Sequence, residues 1–131
     1  MADDAPVWVW RLRSAARVLL GIEESLRRLE PAVEAGGAEV HAVEIQSCSG
    51  ALWWTRLLVL RAVRELEGDS RATFVQDALG QLAAAGEALA RRDLAAAADA
   101  AARAASACHA AVTLAPEKQT NLIADSSPTN A

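Results

Sequence analysis

Ala83 to Ala111 reads AAAGEALARRDLAAAADAAARAASACHAA, and 17 of its 29 residues are alanine. Alanine has the highest intrinsic helix propensity and is depleted in strands, so the run is helical. Because alanine buries little area per residue, this half of the chain must lie close against bulkier neighbours. Arg91-Arg92-Asp93-Leu94 inside the run holds neither Gly nor Pro. The apolar stripe that follows it (Leu94, Ala101, Cys108, Val112) is nevertheless rotated by about 120° from the preceding one (Phe74, Ala78, Leu82, Ala85, Leu89) when phases run on at about 100° per residue. Helical drift of about 20° per heptad explains only part of that offset. The spacing therefore predicts two helices joined by a tight turn capped by Asp93, with one unbroken helix over 70–114 as the alternative. Asp69 or Ser70 is placed to cap the first of them. Glu87 is placed to pair with Arg91, and Asp99 with Arg103.

Working towards the N-terminus, Gly68-Asp69-Ser70 closes an earlier helical pattern that runs from Ala38 to Glu67. His41, Ile45, Cys48, Leu52, Val59, Val63 and Leu66 share one side of it, which predicts its core stripe. Trp53, Leu57 and Leu60 cluster on the other side, so this helix is either central or meets another chain. Gly36-Gly37 separates it from a first helix that begins at Pro6, with Asp3 and Asp4 upstream favouring its positive end. Trp8, Leu12, Ala15, Leu19, Ile22, Leu26 and Leu29 form that helix's stripe. Glu23 and Arg27, and Glu24 and Arg28, are spaced as i, i+4 pairs, and Pro31 limits how far it runs cleanly. Leu19, Leu26, Leu52, Trp53 and Trp54 supply the bulk against which the Ala-rich hairpin can dock. The sequence thus predicts an all-α, up-and-down four-helix bundle over 1–115, followed by a flexible tail over 116–131.

Composition agrees and excludes much else. The chain has 131 residues, 53% of them hydrophobic, with 32 Ala, no Tyr and one Phe, which is wrong for a β-sandwich or a disordered linker. Lys and Arg number 13 against 17 Asp and Glu, for a net charge of -4, so a nucleic-acid partner is not expected. Twelve of the basic residues are Arg, which together with the alanine reads as the codon bias of a GC-rich bacterial genome. The start of the chain lacks the basic, then apolar, pattern of a secretory signal, and no apolar stretch approaches the roughly 20 residues of a membrane span. Cys48 and Cys108 therefore read as free thiols of a cytoplasmic protein.

Two groups of residues are candidates for function. His41, Glu44 and Cys48 stand at i, i+3 and i+7 on or beside the core stripe, and Cys108 with His109 could complete a donor set from the last helix. Such a set would suit zinc or haem iron. No CxxC, HxxxH or ExxH spacing supports it. Phosphotransfer at His41 fits less well, because Glu44 stands where an incoming phosphoryl group would meet a carboxylate. The Arg103 and His109 spacing resembles the pair of small helical ribonucleases, but the acidic balance argues against RNA. No 34-residue repeat supports a tetratricopeptide solenoid. For catalysis, no spacing singles out a carboxylate pair, and no phosphate loop or nucleophile elbow is present.

The second group is Trp53, Trp54, Leu57 and Leu60. Tryptophan is enriched at contact hot spots, and this helix has more apolar circumference than one neighbouring stripe requires. The expected function is that of a small helical interaction or structural protein, self-associating as a homodimer through these residues. The alternative is a metal- or cofactor-binding bundle.

Overall fold

The computed structural model describes residues 5–114. Four helices fill this stretch: α1 (Val7–Ala32), α2 (Ala42–Glu65), α3 (Ala72–Ala90) and α4 (Leu94–Thr113). Among the described residues there is no strand. The expected tail over 116–131 lies outside them.

α1 packs against α2 and α4, and α3 packs against α2 and α4, while the diagonal pairs α1–α3 and α2–α4 face each other only across the core. The result is the expected four-helix bundle, with each helix beside its sequence neighbours and α4 closing the ring on α1. α4 is the element that decides how tightly the ring closes. Its buried residues are Leu94, Ala97, Ala98, Ala100, Ala101, Ala104, Ala105, Ala107, Cys108 and Ala111. At about 100° per residue these span about half the circumference. A face made of methyl groups lets neighbouring backbones come near, which is why α4 contacts both α1 and α3 more extensively than α2 contacts either.

The bulk opposite this alanine face comes from α1. Leu12, Leu19 and Leu26, seven residues apart, are fully buried, and Ala15, Ile22 and Leu29 alternate with them at three- and four-residue steps. This is the spacing of a helix packed at a shallow angle along its whole length. Leu52 joins the core as expected, but Trp53 and Trp54 do not. Both point outward, and Trp8 at the start of α1 is the indole that is buried.

The helix ends show where local chemistry prevails. Pro31 does not stop α1, which continues to Ala32 and then widens into a π-helical turn over Val33–Gly37. The chain reverses at Gly36, whose φ of 93° suits glycine. At Gly37 an added Cβ would lie 2.7 Å from the Ala32 carbonyl oxygen, so the turn admits no side chain there. α2 then begins at Ala42, four residues later than the pattern implied.

Between α3 and α4 the expected turn is present. The Asp93 carboxylate accepts the Ala96 amide at 3.1 Å. On the other side, the Asp93 amide donates to the Ala88 carbonyl at 2.9 Å and the Arg92 amide to that of Leu89 at 3.0 Å. This pairing closes α3 with a left-handed residue, and that residue is Arg92, at φ 62°.

The start of α3 differs from expectation. Neither Asp69 nor Ser70 caps a helix amide; the Asp69 side chain accepts the Arg71 amide at 2.8 Å, and the helix begins at Ala72. Val75 rather than Phe74 leads its core face, with Phe74 half-buried.

Candidate functional site

α2 carries the apolar candidate group and, on a different side, Glu44 and Cys48 of the donor group. Its inner face is Ile45, Cys48, Leu52, Thr55, Val59 and Ala62, all buried. Thr55 tolerates this because its hydroxyl donates to the Ala51 carbonyl at 2.7 Å.

The proposed donor residues are not gathered into one set, although His41 and Glu44 meet. His41 is not in the core stripe: it precedes the first turn of α2, half-exposed, and its Nδ1 lies 2.7 Å from Glu44 Oε1. The helix starts only at Ala42, so His41, with non-helical backbone at the cap, does not take the position that helical periodicity assigns it. Cys48 is buried one turn beyond Glu44, beside a cleft of about 220 Å³ between α1 and α2 that Arg28, Glu44 and Ser47 help to line. Cys108 is fully buried on α4, the helix diagonal to α2, and His109 beside it is exposed. Among the described residues no three His, Cys, Asp or Glu side chains are placed to hold a metal ion.

Burial disfavours the thiolate form of both sulfurs. Burial pushes the Cys48 thiol up, and the Glu44 carboxylate adds to this against an opposing pull from Arg28. Burial alone raises Cys108 to about 12. A buried thiol is a small apolar side chain, whereas metal binding and nucleophilic attack need the thiolate.

The outer face of α2 is different in kind. Trp53 is 56% exposed and Trp54 66% exposed, their rings meeting edge to face with centroids 5.5 Å apart. Leu57 and Leu60 are half-buried beside them, and Val43 towards the start of the helix is 82% exposed. Trp53 also walls an open groove of about 450 Å³ between α2 and α3, with Arg56, Ala83, Gly86 and Glu87 among its lining residues.

Among the described residues, the large apolar side chains left in solvent are Val7, Trp10, Val18, Leu20, Val40, Val43, Trp53 and Trp54. All belong to α1, α2 or the turn between them. The α3–α4 side has none, because its exposed positions are Ala, Gly and polar or charged residues. The bundle thus has one apolar side and one plain one.

Several ion pairs differ from the expected ones. Glu23 and Arg27 do pair, and Arg27 also reaches Asp99 of α4 at 2.9 Å. That leaves Arg103 to donate to Gln81 of α3 at 3.0 Å rather than to meet Asp99. Arg28 turns to the Ser25 hydroxyl instead of Glu24. Arg11 of α1 pairs with Glu65 of α2.

One cluster had no counterpart in the sequence reading. Arg71 is buried, its guanidinium bound by both oxygens of Asp69 and lying over the Trp8 ring. Its Nη1 has no hydrogen-bond partner in the structure. The Asp-x-Arg spacing of 69 and 71 was a possible signal, but the contact with Trp8 joins residues more than sixty positions apart.

Comparison of the chain with protein-family models, curated proteins and solved structures finds no match. Fold and surface together define a small four-helix bundle with an apolar outer side on α1 and α2. No described helix is long and apolar enough to cross a membrane.

Proposed function

We propose that the protein is an interaction module that works by self-association, using the outer face of α2 as its contact surface. The observation that carries this reading is the pair of exposed tryptophans, Trp53 and Trp54, flanked by Leu57 and Leu60. An indole held in solvent leaves a large apolar area hydrated, and covering it with another protein surface is favourable at about 25 cal/mol per Å². Tryptophans at the centre of an apolar patch are also where contact energy concentrates. The two buried, protonated thiols support a reducing compartment, the cytoplasm, as the place of action.

The test is the mass of the purified full chain in solution across low to high micromolar concentration, by light scattering or sedimentation. A dimer that Trp53→Glu converts to monomer, with unchanged helicity and unfolding midpoint, is the expected result. A chain that stays monomeric at high micromolar concentration, and is unaffected by Trp53→Glu, would overturn the reading.

A further inference from the structure

At the end of the bundle where α1 stops and α2 begins, the two helices part around the cleft of about 220 Å³. α1 lines it with Ser25, Arg28 and Leu29, and α2 with Glu44, Ser47 and Cys48. Leu29 and Cys48 are buried at its base, whereas Arg28, Glu44 and Ser47 are exposed at its rim. One wall thus carries a cation and the other a carboxylate. Beneath the larger effect of burial, Glu44 raises the Cys48 thiol and Arg28 lowers it, so both charges lie close to the base of the cleft.

These two charges do not meet. Towards the other end of the same helix pair, Arg11 of α1 and Glu65 of α2 pair directly. Here Arg28 Nη2 turns to Ser25 Oγ of its own helix at 3.3 Å, and Glu44 Oε1 lies 2.7 Å from His41 Nδ1. Among the described residues no carboxylate pairs with Arg28, and Glu44 Oε2 has no hydrogen-bond partner.

We infer that the cleft binds a free small amino acid, with its carboxylate on Arg28 and its ammonium on Glu44. Charge selects a zwitterion. An anion alone would meet Glu44, a cation alone would meet Arg28, and a neutral molecule would leave both charges without a partner. The hydroxyls of Ser25 and Ser47 can each donate or accept a further bond.

Size selects a short skeleton. The cleft falls below the roughly 300–1,000 Å³ of pockets for drug-sized ligands, and its volume is that of about seven waters in the liquid. Leu29 and Cys48 offer the ligand's carbon atoms an apolar base. A protein partner fits less well, because its terminal amine and terminal carboxylate do not belong to one small unit. The inference is independent of self-association: the cleft opens between α1 and α2, whereas Trp53 walls the groove between α2 and α3.

Thermal unfolding and thiol labelling of the full chain test this. The probes are glycine, L-alanine and β-alanine at millimolar concentration, compared with acetate and methylammonium at the same concentration. At least one of the three amino acids should raise the unfolding midpoint by a few degrees and slow iodoacetamide labelling of Cys48 severalfold, read by peptide mass, while acetate and methylammonium do neither. Cys108 is wholly buried and does not line the cleft, so it reports unfolding alone; protection of Cys48 beyond that of Cys108 marks an occupied cleft. Arg28→Met and Glu44→Gln alter exposed side chains, and each should abolish both effects. Effects that survive in either variant would be general exclusion of solute from the protein surface and would overturn the inference. An equal effect from acetate or methylammonium, or no shift and no protection with any of the three amino acids, would overturn it as well.

Discussion

The guanidinium carbon of Arg71 lies 4.7 Å from the centroid of the Trp8 ring. This contact joins the start of α3 to the start of α1, helices that sit diagonally in the bundle. Arg71 is held there from its other side by Asp69, two residues earlier, so one charged side chain ties the α2–α3 turn to the first turn of α1. The cation and the indole face attract each other, and burial strengthens that attraction.

A partly buried ion pair is costly to break from one side, because the remaining charge stays desolvated. Asp69→Asn keeps one oxygen to accept the Arg71 amide and Nε, and removes the charge together with the Oδ2 acceptor of Arg71 Nη2. We expect it to lower unfolding stability by about 2 kcal/mol. Adding Arg71→Met should recover most of that loss, since an apolar chain of similar length can lie on Trp8. Urea unfolding of the single and double variants checks both; a double variant no more stable than the single would reject the explanation.

The same pair predicts a pH dependence. Hydrogen bonds from the Arg71 side chain hold the Asp69 carboxyl below its ordinary value, outweighing the opposing effect of burial. A depressed folded-state pKa means stability that is fully present above the unfolded value of about 3.9 and is lost as pH falls through the folded value. The stability gap between the natural chain and Asp69→Asn should therefore be constant near neutrality and narrow below about pH 4. A gap that stays constant down to about pH 2 would show that the Asp69 charge is not responsible.

Arg92 holds the left-handed position that ends α3, where glycine is the usual residue. A Cβ in this conformation costs roughly 1 kcal/mol, and here it is partly offset by a bond from Arg92 Nη1 to the Leu89 carbonyl at 2.9 Å. Arg92→Gly should raise stability by about 0.5 kcal/mol, visible as a rise of a few degrees in the melting midpoint. A fall would mean that the side-chain bond outweighs the backbone strain.

The sequence made the bundle legible wherever a periodic pattern met a local stop signal. All seven stripe positions of α1 from Trp8 to Leu29 are buried, and the phase offset across Arg91–Leu94 correctly divided α3 from α4. It misled where phase was carried past a helix end: His41 lies outside the helix whose stripe it seemed to share. It was blind to Arg71, whose partner Trp8 is remote in sequence, and to the choice of partner for Arg103, which long side chains settle in three dimensions. Trp53 and Trp54 are legible as lying off the core stripe, yet their bulk makes them equally plausible in sequence as a dock for α3 and α4. Only the observation that alanine-rich α4 packs on α1 instead leaves them unused by the fold.

That close packing of α4 yields the last prediction. Ala101 is wholly buried near the middle of the face that α4 turns to its neighbours, among Ala97, Ala98, Ala104 and Ala105. Alanine there is required by the space rather than chosen for helix propensity alone. Ala101→Leu keeps good propensity but adds three carbons to a filled interior, and should destabilise the protein by about 2 kcal/mol through displaced backbones. The same substitution at Ala84, exposed on α3, should change stability by less than about 0.5 kcal/mol. Thermal unfolding of the two variants separates the effects, and equal midpoints would mean that α4 is not packed as tightly as its alanines allow.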